Sequence, residues 1–178
     1  MVVILSIFIT LAVVINTHIN THIEISISKQ ALMLFQDDRL VKQYSVSTAK
    51  NGAGQESGTG QTPLGHHVIR AKIGADQPEC AVFVGRRFTG EVYSESLAEA
   101  FPERDWILSR ILWLSGKEVG VIRLGSVDSM RRYIYIHGTP DTEPMGVPLS
   151  HGCVRMRNKD VVEVFELIQT GCLVDIQR

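Results

Sequence analysis

A chain of 178 residues and 19.8 kDa can form one domain with a sizeable core, but it leaves little room for a second domain. Its formal net charge of -1 and its scattered lysines and arginines exclude the basic surface typical of nucleic-acid binding or of a polybasic membrane patch. The three cysteines, Cys80, Cys153 and Cys172, lack CxxC spacing, which argues against a disulfide framework and a structural zinc site.

Residues 2–15 form an apolar run, and no charged side chain occurs before Glu24. The run is shorter than the roughly 20 residues that span a bilayer, and its length is typical of the apolar part of a signal peptide. No basic residue precedes it and no clear cleavage site follows it, so an ordinary β segment or an overlong gene start is the alternative. We interpret residues 1–22 as an export signal or uncleaved membrane anchor, followed by one domain over residues 23–178.

Short apolar runs separated by turn residues predict a β-rich first half of the domain. Two runs that flank Asp37 and Asp38 favour a hairpin at the edge of a sheet. The predicted strands are residues 23–27, 31–35, 40–46, 68–73 and 81–84. The glycine-rich residues 51–60 lack both the GK[ST] ending of a P-loop and the G-x-G-x-x-G pattern, which indicates a surface loop.

The second half of the domain mixes strand and helix signals. Residues 105–114 carry aromatic and aliphatic side chains without a clear period, so they fit a short helix or a buried strand. A helix is predicted after Asn158, which we expect to cap it, because apolar residues then share one face and Gly171 ends the pattern. That face comprises Val161, Val164, Phe165 and Ile168. Residues 172–176 predict a final strand, with Cys172 as an ordinary core residue.

Residues 133–155 contain the strongest chemical signal, a cysteine beside small residues and two histidines. An unperturbed thiol has a pKa of about 8.5 and is a poor nucleophile near neutrality, so it needs a nearby base or positive charge. His137 closes an alternating run, where the end of a strand projects its side chain toward a cleft. In Ser150-His151-Gly152-Cys153, the glycine permits close backbone approach, and consecutive amides can point at one developing oxyanion. We therefore predict Cys153 as a nucleophile.

The segment His137-Gly138-Thr139, followed by Ser150-His151-Gly152-Cys153-Val154-Arg155, resembles the signature of the YkuD-type L,D-transpeptidase catalytic domain. The likeness is specifically to the ErfK/YbiS-like branch of Gram-negative bacteria. It extends over about residues 23–176 and includes Tyr44-Ser45-Val46-Ser47-Thr48 and Thr62-Pro63-Leu64-Gly65, which resemble an early strand and a T-P-x-G turn. The resemblance implies a mainly β, sandwich- or barrel-like catalytic fold with one or two short helices. It also implies a monomer that uses no cofactor and no metal.

The resemblance assigns roles to the motif residues. It implies that Cys153 is the nucleophile, that His137 is its base, and that the backbone carbonyl of Gly138 orients the imidazole. If the two side chains form an imidazolium–thiolate pair, the thiol pKa should fall well below about 8.5. The family's oxyanion donors are backbone amides, which here correspond to those of His151, Gly152 and Cys153.

Two further residues are expected to bind substrate. Arg155 could pair through two of its N–H groups with a carboxylate of a stem peptide. A structural arginine that satisfies nearby carbonyls fits the same position equally well. Ser150, which opens the motif, is the second expected substrate contact.

The implied reaction is a two-step acyl transfer in peptidoglycan. The Cys153 thiolate would attack the carbonyl of the L-centre of meso-diaminopimelate in a tetrapeptide stem, and D-alanine would leave. The thioester would then pass to the side-chain amine of a neighbouring stem or to a lysine of an outer-membrane lipoprotein. Water as acceptor would instead make the protein an L,D-carboxypeptidase. Such substrates imply a periplasmic location, which favours the export or anchor interpretation of residues 1–22.

Three other classes of protein remain as alternatives. A zinc hydrolase with His137, His151 and Cys153 as ligands has suitable ligand types, but it lacks an evident general-base carboxylate. A papain-like or NlpC-like peptidase also pairs cysteine with histidine, although there the cysteine precedes the histidine in the chain. A non-catalytic wall-binding module would keep the fold, and loss of Cys153 would be its mark.

Overall fold

The structure is a computed structural model that describes residues 20–178. The predicted export signal or anchor lies outside the described residues except at its end, where Thr21 and His22 begin the first strand. No helix within residues 20–178 is long and apolar enough to cross a membrane.

Strands dominate the described residues, and each strand predicted from the sequence is present. The strands are β1 (Thr21–Ser26), β2 (Ala31–Gln36), β3 (Arg39–Ser45), β4 (Gly65–Ile73), β5 (Ala81–Val84), β6 (Arg87–Val92), β7 (Ile107–Gly116), β8 (Tyr135–Gly138), β9 (Val154–Met156) and β10 (Leu173–Gln177). The helices are α1 (Glu95–Ala100) and α2 (Asn158–Leu167), and a 3-10 turn covers Gly125–Val127. The ambiguous residues 105–114 therefore lie mostly in a strand, β7.

The strands form one mixed sheet that curls on itself. Its order is β3-β2-β1-β10-β4-β7-β5-β6, with β8 paired to β7 and β9 paired to β8. The β1–β10 and β8–β9 pairs are parallel. Ser47, just after β3, exchanges two backbone hydrogen bonds of 2.9 Å with Arg155 of β9. Strands β3 and β9 are the two ends of one path of paired strands, β3-β2-β1-β10-β4-β7-β8-β9. The bridge joins these ends, so the predicted mainly β, barrel-like fold with one or two short helices is confirmed.

Helix α2 supplies the apolar face around which the sheet folds. Val161, Val164 and Phe165 are buried in the main core, and Ile168 joins them just after the helix, as the predicted face requires. Fully buried partners from the strands include Ile23, Ile25, Leu32, Leu34, Ile69, Leu112, Leu114 and Ile136. Burying each large side chain of this kind stabilises the fold by about 1.5–3 kcal/mol. Cys172 belongs to the same core, as predicted.

Asn158 is not the helix cap that the sequence predicts. Arg157 occupies the N-cap position without a side-chain cap hydrogen bond, and Asn158 is the first residue of α2. The Asn158 side chain is buried, and its Nδ2 donates to the Thr139 carbonyl at 2.8 Å while its Oδ1 accepts from Ser109 Oγ at 2.6 Å. The capping prediction is wrong because this amide joins β7 to the chain after β8 instead of binding free N–H groups of the helix.

Strand β7 is buried on both of its faces. Leu112 and Leu114 contribute to the core around α2. Ile111 and Trp113 face the other way and pack in a smaller cluster with Tyr135. This second face of the sheet carries the predicted nucleophile.

Candidate active site

The register of β8 and β9 brings the predicted histidine and cysteine to one face of the sheet. His137 lies opposite Arg155 in the parallel pair, and continuing the register places Tyr135 opposite Cys153. Side chains two residues apart on a strand share a face, so all four point away from the α2 core. Strands about 4.8 Å apart with a rise of roughly 3.3 Å per residue place the Cα atoms of His137 and Cys153 about 8 Å apart. The structure therefore brings the predicted nucleophile and base together.

The sulfur of Cys153 rests against the backbone that leads into β8. The Tyr135 N–H donates to Sγ at 3.4 Å, and the thiol donates to the Tyr133 carbonyl at 3.4 Å. Part of the side chain reaches the surface, but the sulfur packs against the cluster around Tyr135. This burial raises the pKa of the thiol well above its ordinary value, and the Tyr135 N–H offsets only part of the rise.

His137 is buried and held in one tautomer. Its Nδ1 lies 2.8 Å from the Gly138 carbonyl, which can only accept, so Nδ1 carries the proton and Nε2 the lone pair. Burial lowers the pKa of His137 well below its ordinary value. Burial disfavours the charged forms of both Cys153 and His137, so it opposes the imidazolium–thiolate pair on which the expected fall of the thiol pKa depends.

Gly138 occupies a position with no room for a side chain. A Cβ there would lie 2.6 Å from Asn158 Oδ1 and 2.7 Å from the carbonyl oxygen of Leu108. Both neighbours are buried and cannot move aside freely. The residue whose carbonyl holds His137 is thus confined to glycine by the packing of β7 and α2 around it.

The turn before Cys153 is fixed by hydrogen bonds from a distant segment. Gly152 has a φ of 131°, in the region that favours glycine. Its carbonyl accepts from Thr62 Oγ1 at 3.0 Å, and Thr62 Oγ1 in turn accepts from the Ala49 N–H at 3.0 Å. Thr62 begins the T-P-x-G segment noted in the sequence, so that segment supports the loop that carries the cysteine.

Ser150 is fully buried beneath the same turn. Its hydroxyl donates to the Cys153 carbonyl and accepts from the Gly152 N–H at 3.2 Å. The Gly152 amide is therefore occupied, whereas the amides of His151 and Cys153 have no protein acceptor within the described part of the chain. These two free amides fit the predicted oxyanion donors. A substrate-binding role for Ser150 stays a prediction.

Arg155 is paired with carboxylates of the protein itself. Its Nη2 lies 2.8 Å from Asp105 Oδ1, and its Nη1 lies 3.9 Å from Glu143 Oε2. The exposed His151 directs Nδ1 to the other oxygen of Asp105, at 3.7 Å. This arrangement favours the structural alternative for Arg155, and its substrate role stays a prediction.

A cleft of about 260 Å³ opens beside the cluster and is lined, among others, by Asp105, Trp106, Thr139, Glu143, His151 and Arg155.

Two charged residues near the sulfur were missed because no sequence motif marks them. Arg132 donates to the carbonyls of Gly54 at 3.1 Å, Gln55 at 2.6 Å and Gln61 at 2.5 Å, which ties the glycine-rich loop to the site. Beside the larger effect of burial, Arg132 lowers the pKa of Cys153 and Asp105 raises it. Only the fold brings these charges to the cysteine.

The zinc-hydrolase alternative requires a ligand set. No group of three His, Cys, Asp or Glu side chains between residues 20 and 178 is placed to hold a metal ion. His151, one of the three ligands that this alternative names, instead has Asp105 as its nearest charged neighbour.

The fold and the site together define a barrel-like β domain with a histidine on β8 and a cysteine directly before β9. A family model described as the L,D-transpeptidase catalytic domain, YkuD, matches residues 20–176. The chain belongs to this family, which confirms the resemblance found in the sequence.

Relatives of known sequence and structure agree with this assignment. The YkuD protein of Bacillus licheniformis is 26% identical over 154 residues, which are 86% of this chain and 64% of that protein. The YkuD protein of Bacillus subtilis is 40% identical over 48 residues, which are 27% of this chain and 29% of that protein. The crystal structure of L,D-transpeptidase 3 from Mycobacterium tuberculosis has a TM-score of 0.56 at 15% identity, covers 90% of this chain and 62% of that one, and shows the same fold. This chain thus spans less than two thirds of each of these relatives.

Proposed function

We propose that the protein is a peptidoglycan L,D-transpeptidase in which Cys153 is the acylated nucleophile. The observation that carries the proposal is the common face of His137 and Cys153, with His137 Nε2 left free by the contact of Nδ1 with Gly138. Membership of the YkuD family supports the reaction class. Stem peptides of peptidoglycan are the proposed substrates.

The first step forms a thioester. The Cys153 sulfur attacks the carbonyl carbon of the L-centre of diaminopimelate, and its proton passes to His137 Nε2. The amides of His151 and Cys153 are the donors available to the resulting oxyanion. When the carbon–nitrogen bond to D-alanine breaks, the leaving nitrogen takes the proton from Nε2.

The second step regenerates the thiol. The side-chain amine of a second stem attacks the thioester carbonyl and loses a proton to Nε2, and the carbon–sulfur bond breaks with return of that proton to the sulfur. A lysine of an outer-membrane lipoprotein is an alternative amine acceptor. With water as acceptor the same steps would give an L,D-carboxypeptidase.

The neutral resting pair has a mechanistic consequence. Because burial opposes charge on both His137 and Cys153, the thiol proton moves during the attack and is not already on the histidine. This keeps the nucleophile unreactive until a substrate carbonyl lies against it. We further propose that the protein acts as a monomer in the periplasm, exported or anchored by residues 1–22.

The test is the intact mass of the protein after incubation with a carbapenem and, separately, with a tetrapeptide stem. We expect one covalent adduct on wild type, on Cys80→Ala and on Cys172→Ala, and none on Cys153→Ala. Cys80 and Cys172 are matched controls because Cys80 donates its backbone N–H to Ser109 and Cys172 lies in the core, both away from the motif. An adduct that survives Cys153→Ala but disappears with either control substitution would falsify the assignment.

The products of the tetrapeptide reaction separate the remaining activities. A cross-linked dimer with released D-alanine supports transpeptidation, and a free tripeptide alone supports the carboxypeptidase. Binding of peptidoglycan without an adduct or product would make the protein a wall-binding module and overturn the proposal.

A further inference from the structure

The tip of the β5–β6 hairpin holds an arginine against an aromatic surface. The guanidinium carbon of Arg86 lies 4.4 Å from the ring centroid of Trp113 and 4.9 Å from that of Tyr133. Its Nη1 donates to the Tyr135 hydroxyl at 2.9 Å. Rings on which a guanidinium stacks fix its plane and reduce the entropy that it loses on binding a ligand. We call Arg86, Trp113, Tyr133 and Tyr135 the arginine platform.

The charge of Arg86 has no counter-ion in the part of the chain that the structure describes. No carboxylate within residues 20–178 lies within ion-pair distance of it, and residues 1–19 contain no Asp or Glu. By contrast, Arg104 pairs with Glu91 at 2.9 Å and Arg155 pairs with Asp105 at 2.8 Å. A guanidinium has five N–H donors, and the contact with Tyr135 uses one of those on Arg86. The remaining N–H groups can donate to a planar anion that accepts two hydrogen bonds at once.

The arginine platform is built on the same residues that hold the nucleophile. The Tyr133 carbonyl and the Tyr135 N–H both contact Cys153 Sγ at 3.4 Å. The backbone of Tyr135 therefore meets the sulfur while its hydroxyl meets Arg86. A tyrosine side chain is about as long as two residues of an extended peptide, which rise roughly 3.3 Å each. A short peptide can therefore contact both the sulfur of Cys153 and the guanidinium of Arg86.

We propose that Arg86 binds a carboxylate of the donor stem peptide and thereby selects the donor. This inference rests on the proposed function, because it takes the donor to be a tetrapeptide stem. Such a stem carries a carboxylate on its terminal D-alanine and another on the D-centre of diaminopimelate, both close to the attacked carbonyl. Arg155, for which the sequence predicts this task, is already neutralised by Asp105, whereas Arg86 is free to perform it.

The experiment measures the second-order rate constant for acylation of Cys153 in wild type, Arg86→Gln, Arg86→Lys and Arg87→Gln. Arg87 is the matched control because it is the exposed neighbour of Arg86 at the start of β6. Three donors are compared: the free tetrapeptide, the same peptide with a C-terminal D-alaninamide, and the same peptide amidated on the D-centre of diaminopimelate. Alkylation by iodoacetamide reports whether Cys153 itself is intact.

With the free tetrapeptide we expect Arg86→Gln to slow acylation about 10- to 100-fold, which is about 1.4–2.8 kcal/mol at about 1.4 kcal/mol per tenfold. Arg87→Gln should stay within about twofold of wild type, and the iodoacetamide rate should be the same in all variants. Arg86→Lys should recover only part of the loss, because a lysine keeps the charge but not the planar fork.

The amidated donors identify which carboxylate is bound. The donor that lacks that carboxylate should react slowly with wild type and show no further loss with Arg86→Gln, whereas the other donor should retain the full loss. Equal acylation rates for Arg86→Gln and Arg87→Gln would overturn this inference but leave the proposed function standing. So would a loss that is the same for all three donors, since it would show a structural role. If wild type is acylated by none of the donors, the proposed function fails and this inference fails with it.

Discussion

His67 should make the stability of the domain strongly dependent on pH. Its ring on β4 is fully buried, Nδ1 lies 2.9 Å from the Gly65 carbonyl, and Nε2 lies 3.0 Å from Ser129 Oγ. Burial lowers the pKa of His67 to about 4, and the hydrogen bond to Gly65 opposes this only in part. Ser129 also accepts at its carbonyl from Ile134 N–H, so this histidine anchors the turn that leads to the β8 strand of the site.

The sign and size of the effect follow from the two pKa values. An unfolded histidine takes up a proton near pH 6.5, whereas folded His67 does so only near pH 4. The contribution of neutral His67 to the free energy of unfolding is therefore complete above about pH 6.5. It is lost as the pH falls from there toward about pH 4, and it does not change further below about pH 4. Since each tenfold change in proton affinity corresponds to about 1.36 kcal/mol, His67 alone should cost about 2 kcal/mol at about pH 5 and about 3 kcal/mol at lower pH.

Urea unfolding of wild type and His67→Gln at about pH 7.5 and about pH 5 measures this loss. The substitution lowers stability at both pH values, so the informative quantity is the change between them, which should be about 2 kcal/mol smaller in His67→Gln. His137 has a pKa lowered by burial as well, so His137→Gln should also reduce the acid loss. If His67→Gln loses as much stability on acidification as wild type, His67 is not a buried neutral base and the argument is refuted.

Two further predictions concern the site directly. His137→Gln should abolish acylation of Cys153 by a stem peptide, whereas His151→Gln should retain most of it, because His151 contributes a backbone amide and has an exposed ring. Single-turnover rates of acylation measure both effects. A larger loss with His151→Gln than with His137→Gln would exchange the two roles. Thr62→Val should leave the Gly152 carbonyl unsatisfied in a buried place and destabilise the domain by about 1–3 kcal/mol in urea unfolding, with slower acylation. Thr62→Ser is its control and should stay close to wild type in both measurements.

Two strands, β7 and β6, could not be predicted from the pattern of apolar residues in their sequences. In β7, Leu112 and Leu114 meet the α2 core while Ile111 and Trp113 meet the second cluster. Apolar residues on both faces remove the period-two pattern, so strand and helix could not be distinguished there. Strand β6 (Arg87–Val92) escaped prediction for the opposite reason, because it is a largely exposed edge strand with little apolar pattern.

The site could be predicted only as far as local motifs reach. The motif that contains His137 and Cys153, through its family resemblance, predicted that the two side chains meet, and the sheet register places them on one face. The charges that surround the sulfur come from Asp105 and Arg132, and the arginine platform comes from Arg86, which are distant in sequence and lie outside any motif. Long-range pairing of strands brings them together, and no pattern within a single segment contains that information.

The misassigned Asn158 shows how the fold controls the geometry of the base. Its amide is linked through Ser109 Oγ to the N–H of Cys80, at the start of the β5–β6 hairpin, and it holds the Thr139 carbonyl directly after Gly138. The same amide oxygen is one of the two atoms that exclude a side chain at position 138. The Gly138 carbonyl that fixes the His137 tautomer is therefore positioned from α2 and β7 at once. A residue that looked like a helix cap in the sequence thus belongs, by its contacts, to the support of the proposed base.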